Sequence, residues 1–365
     1  MPRPPTPRFP GPAPGHTRGS VPSVIISSVM VLLAAAAPAV PPGAPPAEGA
    51  QQVADIGDLL LASGQTLSHC RVGYRTFGKP DEHRSNAVLF PTWFGGTSAN
   101  LVDLIGPGKL IDSTRFFVIA ADALANGVSS SPSNSPNQSR MRFPEITVRD
   151  MVESQRALLT RVLHIPHLRA VMGISMGGMQ AFQWAASYPA FIDRAIPIVG
   201  SPQLGAYDLL LWQAELDATF ADAEWKNGNY THPPALRAVY DIHTLSLSTP
   251  ARFNHTNPRP AFLTDLGKHT AAGFDPCDRV RQLQAMMSHD IAAPFDGSLA
   301  RAGAALKAQL LVVVDAHDQM VTPGPALELA TAARARVLRL DTDCGHLVPA
   351  CEGEKIAAAI SDFLR

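Results

Sequence analysis

Residues 171–180 read Val-Met-Gly-Ile-Ser-Met-Gly-Gly-Met-Gln, and this stretch constrains the chain more than any other. The apolar run ending at Met172 reads as a short buried strand. Met176 to Ser187 reads as a helix, and Ser175 stands at the corner between them. A strand that turns directly into a helix forces its corner residue into a strained backbone conformation. Gly173 and Gly177, two before and two after the serine, remove the Cβ atoms that would collide there. This is the G-x-S-x-G nucleophile elbow. Such a corner exposes the Ser175 hydroxyl and leaves the Met176 N–H at a helix N-terminus, where it can stabilise an oxyanion.

Strands and helices alternate on both sides of the elbow. Residues 56–61 and 68–77 are expected to be two paired strands around a Ser63-Gly64-Gln65 turn. Asn86–Phe90 and Arg115–Ala121 read as buried strands. Thr147 opens a helix running to about His164, with Asp150 placed to close a capping box, so Asp150 is read as structural rather than catalytic. Arg194–Val199, Gln309–Asp315 and Arg336–Leu340 are further strands, and Glu352–Leu364 is a closing helix. The pattern predicts an α/β fold, a mostly parallel sheet covered by helices on both faces. It breaks between 201 and 306, where helical stretches are interrupted by Pro233-Pro234, Asn257-Pro258 and Pro260. A segment that long must build its own structure, and a helical lid over the site is expected. The core is then 53–200 and 307–365. The loop from Asn126 to Arg142, rich in Ser, Pro and Asn, must be held by side-chain hydrogen bonds or lie near the site.

The chain has 365 residues and a net charge of -1, with no basic stripe, which argues against nucleic acid as a partner. Cys70, Cys277, Cys344 and Cys351 have no metal-ligand spacing, and no cofactor or metal is called for. His164 and His167 are separated by a helix-breaking Pro166 and read as loop or surface residues. Residues 1–20 are Pro- and Gly-rich, with Arg3, Arg8 and Arg18 and no acidic group. Val24–Ala37 is apolar but short for a membrane span, and Ala37-Pro38-Ala39 fits a small-residue cleavage pattern. Residues 1–39 therefore read as a signal peptide and 40–52 as a Pro-rich linker. The expectation is an exported enzyme, periplasmic or secreted, with a cytoplasmic one as the alternative.

A serine hydroxyl needs a base in reach and a group to orient that base. Both follow the elbow in the order Ser…Asp…His. Asp318 lies in the turn after the 309–315 strand, and His346 follows Gly345 in the loop after the 336–340 strand. Ser175 is the candidate nucleophile, His346 the base and then acid, and Asp318 the orienting carboxylate, with Asp315 as the competitor. His317 has no required role, and Asp341 and Asp343 read as solvated. Phe94, in Pro-Thr-Trp-Phe-Gly-Gly after the 86–90 strand, is the candidate for the second oxyanion N–H, with Gly95 as the alternate. Candidate substrate contacts are Trp93, Gly95, Tyr207 and Trp212, with Phe220 and Trp225 as further aromatics of the lid. Cys344 and Cys351 flank His346 and, in an exported protein, could close its loop as a disulfide; two free thiols are the alternative.

The elbow Gly-Ile-Ser175-Met-Gly-Gly-Met-Gln, the run Phe143-Pro-x-x-Thr147-x-Arg149-Asp150-Met-Val-x-x-Gln155, Asp318 and Gly-His346 together resemble the homoserine O-acetyltransferase-like branch of the α/β-hydrolase superfamily. The resemblance covers about 53–365. It implies an α/β-hydrolase fold with an inserted helical lid, and an acyl-serine intermediate that the true transferases pass to an alcohol. Four features depart from it. Asn126–Pro132 replaces a Gly-x-Thr-Gly-Pro segment, and Pro91–Gly96 stands where a His-Ala-Leu-Thr-Gly type of sequence is expected. The lid lacks a Tyr-Leu-x-Tyr-Gln-Gly-like run, and no arginine can be placed for a homoserine carboxylate. Ester hydrolysis is therefore the expected reaction. O-acyl transfer from acyl-CoA to an alcohol such as homoserine is the alternative, and an inactive binding module a third reading. The expected partner is a small-molecule ester or acyl-CoA, without a stable membrane span, and a homodimer is left open.

Overall fold

The computed structural model describes residues 46–271 and 273–365; the signal-peptide reading of 1–39 and the first part of the linker reading, 40–45, lie outside them. Eight strands form one sheet: β1 (Gln52–Asp55), β2 (Arg71–Phe77), β3 (Ala87–Pro91), β4 (Phe117–Ala121), β5 (Leu168–Ile174), β6 (Ile192–Ile198), β7 (Gln309–Asp315) and β8 (Arg336–Leu340). Their spatial order is β1-β2-β4-β3-β5-β6-β7-β8. The first two pairings are antiparallel and the rest parallel, with Leu168 opposite Ile192 and Leu340 opposite Asp315.

Burial on both faces explains why the central strands are apolar throughout. Along them, alternate residues go to opposite faces. Leu89, Ile119, Val171, Val312 and Val314 join one core cluster. Val88, Phe90, Met172, Ile196, Ile198 and Val313 join the other. The first is covered by α1 (Val148–Ala157) and α2 (Met176–Ser187), the second by the C-terminal helix Gly353–Phe363.

The pairing expected for 56–61 with 68–77 is found only at its start, where Ile56 N donates to Cys70 O and Cys70 N donates to Gly57 O; the rest is corrected. Leu59–Leu60 pairs only with Thr66–Leu67, as a small separate hairpin. β2 instead pairs with β1 and with β4, which comes forty residues later. Both edges of β2 are occupied by the large sheet, so the hairpin cannot extend along it. The helix opening at Thr147 has the capping box: Thr147 Oγ1 accepts from Asp150 N, and Asp150 Oδ2 accepts from Thr147 N. Asp150 Oδ1 also accepts from the amide of Ala62, so this carboxylate is spent on structure. After Ala157 the helix widens into a π-type turn over Leu158–Val162.

Between β6 and β7 the described residues contain no strand of the sheet. They form α3 (Ala206–Ala221), α4 (Arg237–Leu247), α5 (Pro250–Thr256), α6 (Arg259–Asp265), α7 (Pro276–Met287) and α8 (Leu299–Ala305). The Ser/Asn-rich loop is held by side chains. Asn126 Oδ1 accepts from the amides of Val128 and Ser129, and Ser129 Oγ accepts from Gly73 N while donating to Asp122 O.

Candidate active site

The elbow is built where β5 runs into α2. Ser175 has φ 57° and ψ -121°, a conformation that costs energy and persists only where the surroundings enforce it. The enforcement is visible: Ser175 N donates to Ile198 O at 2.8 Å, and its carbonyl accepts from Met179 N at 3.0 Å. A Cβ on Gly173 would overlap the backbone of Gly177, so the tight corner needs glycine there. Behind it, Gln180 donates to Thr92 O and accepts from Gln155, which in turn accepts from the Trp184 indole. This amide network locks α2 to α1 and to the loop after β3.

Ser175, Asp318 and His346 lie beyond the C-terminal ends of β5, β7 and β8, where open parallel sheets place their ligands. Ser175 Oγ is 2.9 Å from His346 Nε2, and His346 Nδ1 is 2.8 Å from Asp318 Oδ2. All three side chains are buried. Asp318 Oδ1 accepts from the amides of Met320 and Val321, which fixes the carboxylate. A carboxylate only accepts, so the proton between it and the ring sits on Nδ1. The Nε2 lone pair then faces the serine hydroxyl, which donates. Asp315 is turned away: it accepts from His317 N and from both the amide and the hydroxyl of Thr342. His317 pairs with Asp341 on the surface, and Asp343 with Arg252.

The loop after β3 brings Trp93 and Phe94 to the same place. The Gly95 amide donates to Gln282 Oε1 at 2.9 Å, whereas the Phe94 amide has no hydrogen bond to the described residues. Gln282, fully buried on α7, is anchored at its other end by donating to Leu124 O. It thereby excludes Gly95 as an oxyanion donor and fixes the peptide that follows Phe94.

A cavity of about 380 Å³ opens onto Ser175 and His346. Trp93, Phe94, Ile174, Trp212, Leu247 and Leu347 supply much of its wall, with Asn100, Asp103 and His243 as polar members. Tyr207 and Gly95, singled out from sequence as substrate contacts, are not in the wall. Tyr207 sits in the first turn of α3 with its side chain outward, 57% exposed. Gly95 is covered by Phe274. Phe220 and Trp225 are likewise absent from the wall and pack against each other with their rings tilted by 42°. Cys344 and Cys351 form a disulfide that closes the loop carrying His346 and Leu347.

Sequence reasoning missed His243, Glu215, Arg279 and Gln282. Glu215 on α3 is fully buried; it pairs with Arg279 Nη1 and with His243 Nδ1, each at 2.9 Å. Arg279 also lies over the Phe94 ring, 5.1 Å from its centroid. An isolated Glu in a helix looks like a solvated residue, and nothing local to it signals burial.

The sheet order, the elbow and the Ser–His–Asp row beyond the strand ends are those of the α/β-hydrolase class. The chain belongs to the α/β hydrolase fold family, whose model matches residues 87–349. Within it, the chain lies in the homoserine O-acetyltransferase-like branch, whose members include both esterases and acetyltransferases, and it is an enzyme of hydrolase or acyltransferase type. It is 29% identical over 287 residues to an ethyl acetate hydrolase of Pseudomonas veronii, covering 75% of this chain and 82% of that one. It is 33% identical over 294 residues to a homoserine O-acetyltransferase of Trichormus variabilis, covering 74% and 81%. The solved structure of the acetyl esterase MekB superposes with a TM-score of 0.78 at 27% identity, covering 87% of this chain and 96% of that one.

Proposed function

We propose that this enzyme hydrolyses esters of small carboxylic acids through an acyl-serine on Ser175. The observation that carries the reading is the cavity wall: among the described residues it contains no Arg and no Lys. An amino-acid acceptor such as homoserine brings a carboxylate, and burying that charge without a cation is costly. An uncharged ester meets no such penalty against Trp93, Phe94, Ile174 and Trp212. The name of the Pseudomonas veronii relative points the same way.

In the mechanism, Ser175 Oγ attacks the ester carbonyl carbon as its proton passes to His346 Nε2. The oxyanion is held by the amides of Phe94 and Met176. Asp318 stabilises the imidazolium. The intermediate collapses, the C–O bond to the alcohol breaks, and the leaving alkoxide takes the proton from His346. Water, deprotonated by His346, then attacks the acyl-serine. The second collapse releases the acid and returns the proton to Ser175. Residues 201–306 act as a lid that limits access to this chemistry.

A second reading, transfer of the acyl group to an alcohol, is supported by the Trichormus variabilis relative. Intact-mass time courses with p-nitrophenyl acetate and, separately, acetyl-CoA decide between them. Turnover of the ester with no acylation of Ser175 by the thioester supports the hydrolase. Acetylation by acetyl-CoA followed by faster transfer to homoserine than to water overturns it. Export is supported by the Val24–Ala37 run and by the Cys344–Cys351 disulfide at the site, because disulfides persist in oxidising compartments. Fractionation of cells expressing the full chain tests it: activity confined to the cytosol rejects export.

A further inference from the structure

His243 stands in the cavity wall beside Phe94 and Trp212, with ring centroids 5.9 and 6.2 Å away. Its Nδ1 meets Glu215 Oε1, and Glu215 Oε2 accepts from Arg279. A carboxylate held in an ion pair has only acceptor sites, so the proton of the neutral imidazole sits on Nδ1. The Nε2 lone pair is left, and it has no hydrogen bond to the described residues. It is also not sealed off among the buried, unpartnered atoms. Packing alone does not demand this triplet, since apolar residues of similar volume commonly serve as well as a buried ion pair. What it does supply is an oriented acceptor in an otherwise largely apolar wall.

We infer that His243 is a specificity-determining residue, whose Nε2 accepts a hydrogen bond from a hydroxyl that the substrate carries beyond its ester group. The preferred substrates are then short esters of diols, or short esters of hydroxy acids. The inference rests on the ester-hydrolase reading.

The test measures kcat/KM at pH 8 for two matched pairs. One pair is 4-hydroxybutyl acetate against pentyl acetate, which probes the alcohol side; the other is ethyl 3-hydroxybutyrate against ethyl butyrate, which probes the acyl side. One net hydrogen bond corresponds to a preference of roughly 5–10-fold for the hydroxyl member of one pair. Replacing 4-hydroxybutyl by 4-methoxybutyl, or the 3-hydroxyl by 3-methoxyl, removes the donor and should abolish that preference in the unmodified protein. In His243→Phe the ratio within the pair should fall to about 1 whatever the absolute rate. Equal rates within both pairs, a preference that survives methylation, or a ratio unchanged in His243→Phe overturns the inference while leaving ester hydrolysis standing. If the protein turns over none of these esters, the hydrolase reading fails and the inference falls with it.

Discussion

Two imidazoles face one cavity, and each is held by a buried carboxylate. Asp318 holds His346 at the ends of sheet strands; Glu215 holds His243 between helices of the insert. The first carboxylate takes two further amide donors, the second a guanidinium. The first imidazole reaches a serine, whereas the second reaches only the cavity. On the proposed readings, the same pairing serves proton transfer where a nucleophile is in range and recognition where none is. The difference also separates what each pair should cost when broken.

The largest effect belongs to Ser175→Ala, which should lower kcat for p-nitrophenyl acetate by about 10⁶-fold. Its melting temperature should stay near that of the parent, which differential scanning calorimetry checks. Asp318→Asn should cost about 10⁴-fold in kcat, because the amide no longer fixes the tautomer. A near-parental rate would show that the Asp318–His346 pair is not the working one. Glu215→Gln should behave in the opposite way. Leaving Arg279 without its charge partner should destabilise by about 3–5 kcal/mol, a melting shift on the order of 10 °C. A shift under about 2 °C would erase the contrast between the pairs. Gln282→Ala frees the Gly95 amide and loosens the Phe94 peptide. It should lower kcat by about 10–100-fold with a smaller change in KM, since an oxyanion donor acts on the transition state. Loss confined to KM would remove α7 from the chemistry.

The smallest effect concerns Asp278, next to Arg279 on α7. Burial, with the Asp275 charge nearby, pushes its carboxyl up to about 7 from the usual 3.8. The unfolded chain therefore releases this proton well before the folded one. The associated stability is present below about pH 4 and is lost as the pH rises to about 7. Asp278→Asn keeps an acceptor for Ser133 N and offers a donor to Ser133 Oγ without ionising. It should melt several °C above the parent at pH 7, with the advantage fading by pH 4. Burial holds His289 down to about 4 in both proteins, so its opposite slope cancels in the difference. An equal advantage at both pH values would contradict the assignment.

The two regions also differed in how far the sequence could be read. β5, α2, β7 and β8 are continuous apolar runs or glycine-marked corners, so Ser175, Asp318 and His346 could be picked out by position relative to strand ends. Pairing across the sheet was less accessible: nothing near Arg71–Phe77 indicates that its partner on one side is β4. In the insert, Trp212 was found as an aromatic in a helix, yet Tyr207, five residues earlier on α3, points to solvent. One helix turn decides between wall and surface, and the pattern of aromatics does not set that rotation. Glu215, Arg279 and Gln282 are polar residues whose burial depends on how α3, α4 and α7 meet, so they look like any solvated face until the helices are assembled.

Gln282 makes the insert more than an interchangeable cover. Because α7 grips the peptide behind Phe94, a graft that replaces 201–306 with the corresponding helices of a relative exchanges the clamp on the oxyanion loop together with the pocket walls. With Phe94 as the oxyanion donor proposed above, substrate range and turnover number are not separable modules in this enzyme. A chimera built for a new substrate must keep an amide acceptor at position 282, and directed evolution of the insert will trade selectivity against rate wherever α7 is moved.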